Sequence, residues 1–147
     1  MAQTTGALSL PHLLKSMSPV LHPSTFVWGT IPTDPSSSST TILNLFAGNQ
    51  VQMLFREQEG WTVLVPEEVA KEIQLQSTFP CRMVTLNVHS SLEAVGFIAA
   101  ISARLTKLGL GVNPVSGYYH DHLFVAPERA EEVVEELRKM AGEQEEA

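Results

Sequence analysis

Arg82-Met83-Val84-Thr85-Leu86-Asn87-Val88-His89-Ser90-Ser91-Leu92-Glu93 carries two patterns in succession. Val84, Leu86 and Val88 alternate with Thr85 and Asn87, the period-two mark of a half-buried strand over residues 82–89. Ser90 followed three residues later by Glu93 has the form of a capping box, in which two side chains satisfy backbone donors that a helix start leaves orphaned. Behind it Ala94, Phe97, Ile98, Ile101, Leu105 and Leu108 recur at helical spacing, with Glu93, Arg104 and Lys107 on the opposite side. Gly109 predicts the helix end, in the left-handed cap position.

Downstream, residues 112–119 read as a second strand, and Pro114, which has no N–H for a ladder, places it at an edge or a bulge. His120-Asp121 reads as a tight turn into a third strand at 122–125. Pro127 opens a second helix, where proline costs nothing, with Ala130, Val133, Val134, Leu137 and Met140 as its apolar stripe. The order β-α-β-β-α predicts an α+β, ferredoxin-like arrangement: an antiparallel sheet with both helices on one face.

Upstream lies a weaker copy. Residues 25–31 read as a strand, residues 51–57 and 61–65 as a hairpin across Gly60, and Pro66 opens a helix with Val69, Ala70 and Ile73 inward. Leu64-Val65-Pro66-Glu67 returns as Val125-Ala126-Pro127-Glu128, with the two prolines 61 positions apart. A repeat of about 60 residues follows. The expected organisation is a cover segment at 1–24, with a short helix or irregular cover at 8–17, then a first half at 25–78, a second domain at 79–141 and a frayed acidic tail at 142–147. Residues 33–50 read as an irregular Ser-rich loop, with a short strand or helical turn at 41–46.

Composition narrows the class of protein. Of 147 residues 44% are hydrophobic and 17% charged, a globular balance rather than a disordered one. No apolar run approaches the about 18 residues of a membrane span, and the start lacks the basic and apolar regions of a secretory signal. A cytoplasmic protein with no membrane partner is the expectation. The net charge is −7, and eight glutamates within 128–146 account for most of it, reading as the solvated face of the last helix. No basic patch offers a footprint for nucleic acid. The single cysteine, Cys81, excludes an intrachain disulfide and reads as a small buried hydrophobe.

Few residues carry site chemistry. A helix start near Ser90–Gly96 would present free N–H groups and a positive dipole end to an anion. Gly96, unfavourable inside a helix, implies close approach of a ligand or tight helix–sheet packing. His120-Asp121-His122, with His89 near, reads as a structural turn or polar pocket wall, as a metal pair on one strand face, or as an acid–base set. Tyr118 and Tyr119 should take opposite sides of a strand, one of them core. Trp28 and Trp61 read as strand residues packed in the core, or stacked on a ligand. No nucleophile elbow, phosphate loop or cofactor fingerprint is present, so neither cofactor nor resident metal is expected.

The runs His89-Ser90-Ser91-Leu92-Glu93-Ala94-Val95-Gly96-Phe97 and Val112-Asn113-Pro114-Val115-Ser116-Gly117-Tyr118-Tyr119-His120-Asp121-His122-Leu123-Phe124-Val125 resemble a family of small tandem ACT proteins. That family is similar to the ACT modules of CASTOR-type arginine sensors and of aspartate kinases. Residues 13–23 and the turn at 56–60 resemble it too, so the likeness spans roughly residues 8–140. It implies two ACT folds in one chain, binding a small molecule, commonly an amino acid, where the loop after a first strand meets a neighbouring unit. Carried onto this chain, the ligand residues are Ser90, Ser91, Leu92, Val95, Gly96, Asn113, Tyr119 and Asp121. The ligand carboxylate is expected at the amides of residues 91–95 and its ammonium at Asp121. The resemblance further implies a homodimer and a regulatory or sensory role toward a separate enzyme, without catalysis by this chain. The alternative is a small cofactor-free or metal-assisted enzyme using His120, Asp121, His122 and His89.

Overall fold

The computed structural model of the chain describes residues 6–34 and 38–144. They form two compact units: one is Ser24–Cys81, the other joins the chain up to Pro23 with everything from Arg82 onward.

In the second of these units β4 (Ser77–Leu86), β6 (Asp121–Val125) and β5 (Asn113–Ser116) lie in that order, each pair antiparallel. Val84 opposes Leu123, Leu86 opposes Asp121, and Asp121 opposes Ser116. Opposed residues share a face of a pleated sheet. Val84, Leu86, Leu123 and Val125 therefore point together toward three helices, α1 (Leu10–Ser16), α4 (Phe97–Lys107) and α5 (Ala130–Glu143). Phe97, Ile101 and Leu105 of α4 meet Val133, Val134 and Leu137 of α5 and Leu13 of α1 in one buried cluster. Each such side chain taken fully from water contributes about 1.5–3 kcal/mol, before the cost of ordering it. Asp121 lies on that helix-covered face at the strand's end. His122 and its opposed residue Thr85 take the other face.

The Ser24–Cys81 unit has the order β2 (Met53–Arg56), β3 (Trp61–Pro66), β1 (Pro19–Ile31), again antiparallel. Val27, Ile31, Val63 and Val65 form its core with Val69 and Ala70 of α3 (Glu67–Glu72) and Leu45 of α2 (Ser38–Ala47). In each unit antiparallel strands carry helices over one face, which makes the two ferredoxin-like halves that the patterns predict.

Several local expectations are corrected. The helix behind Ser90 begins at Phe97, seven residues after Ser90. Ser90 does not cap it, because its hydroxyl is engaged by Asp121. Gly96 sits at φ +92, outside the helix, as the residue that turns the chain into it. The third strand starts at Asp121, and the tight turn is instead the one closed by Gly117 N–H donating to the His120 carbonyl at 2.9 Å. Tyr118 and Tyr119 therefore belong to the turn and are both exposed, neither of them core. Residues 38–47, within the expected irregular stretch, are helical, since Ile42 and Leu45 one turn apart have a core to bury against. The Ser-rich reading at 35–37, the chain start at 1–5 and the tail end at 145–147 lie outside the described residues. The last helix runs on to Glu143, so residues 142 and 143 are helical rather than tail. Its Glu136 is buried rather than solvated, turned to Arg104 of α4 at 2.5 Å. Ile73, expected inward, is 39% exposed just beyond α3. Among the described residues no helix is long and apolar enough to cross a membrane.

Candidate functional site

A cavity of about 230 Å³ opens beside the start of α4. Its walls come from the 90–96 loop, from Phe97, Ile98 and Ala99 in the first helical turn, and from Ser116 and Asp121 at the ends of β5 and β6. The strand register explains the last two. They oppose each other across the β5–β6 pair, so both side chains face the helix start.

Asp121 is 6% exposed. Its carboxylate accepts from the Ser90 hydroxyl at 2.8 Å and from the Ser116 hydroxyl at 2.5 Å. No salt bridge among the described residues reaches it. Removing a carboxylate from water without a cation beside it is costly, and two hydroxyl donors offset only part of that. Each oxygen retains a lone pair for a further donor.

Opposite this negative group stands the helix start. Ala100 N–H is bonded to the Gly96 carbonyl at 2.9 Å, so the amides of Phe97, Ile98 and Ala99 precede the first intrahelical bond. The helix has no side-chain cap. The loop amides differ: Ser91 N–H goes to the Ala7 carbonyl, Glu93 N–H to the Ser91 hydroxyl and Ala94 N–H to the Ser91 carbonyl. The expected anion-binding amides at 91–95 are thus partly spent, whereas no side chain caps those of Phe97, Ile98 and Ala99. The remaining wall, Leu92, Ala94 and Ile98, is apolar, and no basic side chain lines it.

Of the residues expected in a ligand site, Ser90, Ser91, Leu92, Gly96 and Asp121 are brought together. Val95 is not among the walls and is 84% exposed. Asn113 lies at the far end of β5 from Ser116, its amide 3.4 Å from the Phe124 carbonyl. Tyr119 stands over His89 at 5.6 Å and Tyr118 at 4.8 Å in an exposed aromatic group. Ser116 lies inside the expected strand and turn at 113–122 without having been singled out, and the first turn of α4 lies outside the expected site. The capping-box pattern moved the helix start upstream, and a turn drawn at Asp121 hid its pairing with Ser116.

His120, Asp121 and His122 do not converge on one point. His120 Nδ1 is 3.3 Å from the Val88 carbonyl, while His122 Nδ1 is 2.9 Å from the Thr85 hydroxyl, which also meets His22 Nε2 at 2.9 Å. Burial, and then the neighbouring His120, hold the His122 pKa below 6.5. Among the described residues no three His, Cys, Asp or Glu side chains are grouped to hold a metal. Cys81 is buried, and burial pushes its pKa up to about 11 despite a hydrogen bond with Trp28, so at neutral pH it stays a thiol. Trp61 packs against the Ser24–Cys81 core, and Trp28 lines a separate hollow in that unit with Thr30, Thr62 and Glu57.

Comparison with known proteins agrees with this architecture. Two ACT domain family models match in tandem, one over residues 5–82 and one over residues 78–139. A Vibrio cholerae protein of unknown function, described as a possible transport protein, is 35% identical and superposes with a TM-score of 0.75, covering 90% of this chain and 95% of its own. The regulatory subunit of aspartate kinase from Thermus flavus shares the fold at 13% identity and TM-score 0.61, over 84% of this chain and 96% of that one. Aspartokinase III of E. coli, solved with aspartate and ADP, shares it at 12% identity and TM-score 0.61, over 83% of this chain and 32% of that one. No curated protein matches the chain. With both halves matched, the chain belongs to the ACT domain family, as a tandem pair in a single polypeptide.

Proposed function

We propose that this chain is a regulatory ACT protein whose ligand, a small neutral amino acid, occupies the cavity at the start of α4. The observation that carries the reading is the pairing of a buried, cation-free carboxylate with an uncapped helix start inside one small cavity. A zwitterion complements both ends at once. Its ammonium replaces the missing cation at Asp121, and its carboxylate meets the amides of Phe97, Ile98 and Ala99 under the favourable end of the helix dipole. The volume lies below the about 300–1,000 Å³ of drug-sized sites, which favours a small molecule. With Leu92, Ala94 and Ile98 alongside and no basic group to receive it, an acidic ligand side chain is disfavoured.

A regulatory role is supported by the shared fold with a regulatory subunit of aspartate kinase. On this reading the enzyme controlled by this chain is a separate cytoplasmic protein. Leu92, Val95, Tyr118 and Tyr119 are 62–84% exposed, and they are the apolar surface that a second copy would cover in a homodimer.

Thermal denaturation with alanine, serine, threonine and valine tests the ligand. Binding restricted to the native state adds about 2.7 kcal/mol at a ligand concentration 100 times Kd. At least one of the four should raise the midpoint, and Asp121→Ala, with an unchanged far-ultraviolet spectrum, should abolish the rise. No response from the wild-type protein, or a full response from the variant, removes the reading.

A further inference from the structure

The chain before α1 runs against the cavity loop. Ala7 N–H donates to the His89 carbonyl at 2.9 Å, and Ser91 N–H donates to the Ala7 carbonyl at 3.0 Å, a one-residue parallel bridge centred on Ser90. The approach leaves no room for a side chain at Gly6, where a Cβ would stand 2.5 Å from both the Ser90 carbonyl carbon and the Ser91 nitrogen. At the other end of the loop the Leu10 side chain lies beside Gly96, 3.4 Å from where a Cβ would be. Segment 6–10 thus touches the loop at both ends, at Ser90 and at Gly96. The segment is itself anchored. Leu13 and Leu14 of α1 are 0% and 7% exposed in the core shared with α4 and α5.

We infer that residues Gly6 to Leu10 form a positioning strap for the cavity, with Gly6 and Ala7 as its positioning residues. The bridge holds the peptide planes on both sides of Ser90. Those planes fix where the Ser90 hydroxyl stands relative to Asp121, at 2.8 Å, and hence how the carboxylate is presented to the cavity. The strap lies outside the cavity walls and takes no amide from the first turn of α4, so it orders the site without competing for the ligand. Loops ordered by few contacts open locally at little free energy, and without the bridge the 90–96 loop would be such a segment. The inference rests on the ligand reading above only for its consequence on affinity; the ordering of the loop is independent of it.

Ala7→Pro removes the Ala7 N–H and with it half of the bridge. Ala7→Gly keeps both backbone bonds and serves as the conservative control. Gly6→Val tests the close approach separately. In amide hydrogen exchange, Ala7→Pro and Gly6→Val should speed exchange at Ser91, Glu93 and Ala94, the bonded amides of the loop, while leaving Ile101 to Leu105 of α4 protected as in the wild type; Ala7→Gly should match the wild type throughout. With whichever of alanine, serine, threonine or valine shifts the wild-type midpoint, Ala7→Pro should weaken binding about tenfold, the scale of one lost hydrogen bond in an ordered site, and Ala7→Gly should retain it. Wild-type exchange rates across residues 91–95 in Ala7→Pro and Gly6→Val would overturn the strap whether or not an amino acid binds. So would wild-type affinity in Ala7→Pro. Absence of any amino-acid response in the wild type, with exchange changed as expected, counts against the ligand reading alone and leaves the strap standing.

Discussion

At the scale of single residues, position on the pleat decides chemistry more than residue type does. Asp121 and His122 are neighbours in sequence, yet one faces the helix-covered side and lines a cavity while the other faces away and meets Thr85. That separation is why a His-Asp-His run suggesting metal or acid–base chemistry resolves into three side chains with three different partners. His122 also makes a testable contribution to stability. Its folded-state pKa lies below the 6.5 of a free side chain, chiefly through burial and then through His120, with the Asp121 charge acting the other way and His22 adding to the depression. The unfolded chain therefore takes up the proton first as pH falls. This contribution is full above 6.5, declines as pH drops through 6.5 and levels off below the folded value. The thermal midpoint should fall on acidification from about pH 7.5 to about pH 5, and His122→Asn, whose amide can still meet Thr85, should flatten that dependence. An equally steep profile in the variant would assign the effect to other groups.

At the scale of elements, the apolar stripes were readable and the boundaries were not. Phe97, Ile101 and Leu105 on α4, and Val133, Val134, Leu137 and Met140 on α5, are buried at the expected helical spacing because one face of each helix has a sheet to cover. The start of α4 was misplaced because Ser90 had two uses for its hydroxyl. Capping a helix is local and visible in sequence, whereas meeting a carboxylate 31 residues away is not. Gly96 is the residue that enforces the later start. At φ +92 an alanine would bear a left-handed penalty, so Gly96→Ala should destabilise the protein by about 1–2 kcal/mol in chemical denaturation and weaken ligand binding as well. An unchanged midpoint would mean that the loop relaxes to a right-handed path. Gly109, at φ +68 beyond the other end of α4, was placed correctly, since a helix stop depends on one residue's own freedom.

At the scale of the whole molecule, β1 and β4 each run along the chain from one compact unit into the other. Both tryptophans, Trp28 and Trp61, belong to Ser24–Cys81, and both tyrosines, Tyr118 and Tyr119, to the other unit. Urea unfolding followed by tryptophan fluorescence and by tyrosine absorbance should therefore trace one coincident transition. Separated midpoints would show that the units unfold independently. From the sequence alone came the repeat, the β-α-β-β-α order, the core stripes and the likeness to ACT proteins, all of which rest on short-range periodicity or on runs of adjacent residues. The helical character of residues 38–47, the site of the α4 start and the meeting of Ser90, Ser116 and Asp121 were settled only in three dimensions. Each depends on a partner distant along the chain, and sheet register, which brings such partners together, leaves no mark on either segment by itself.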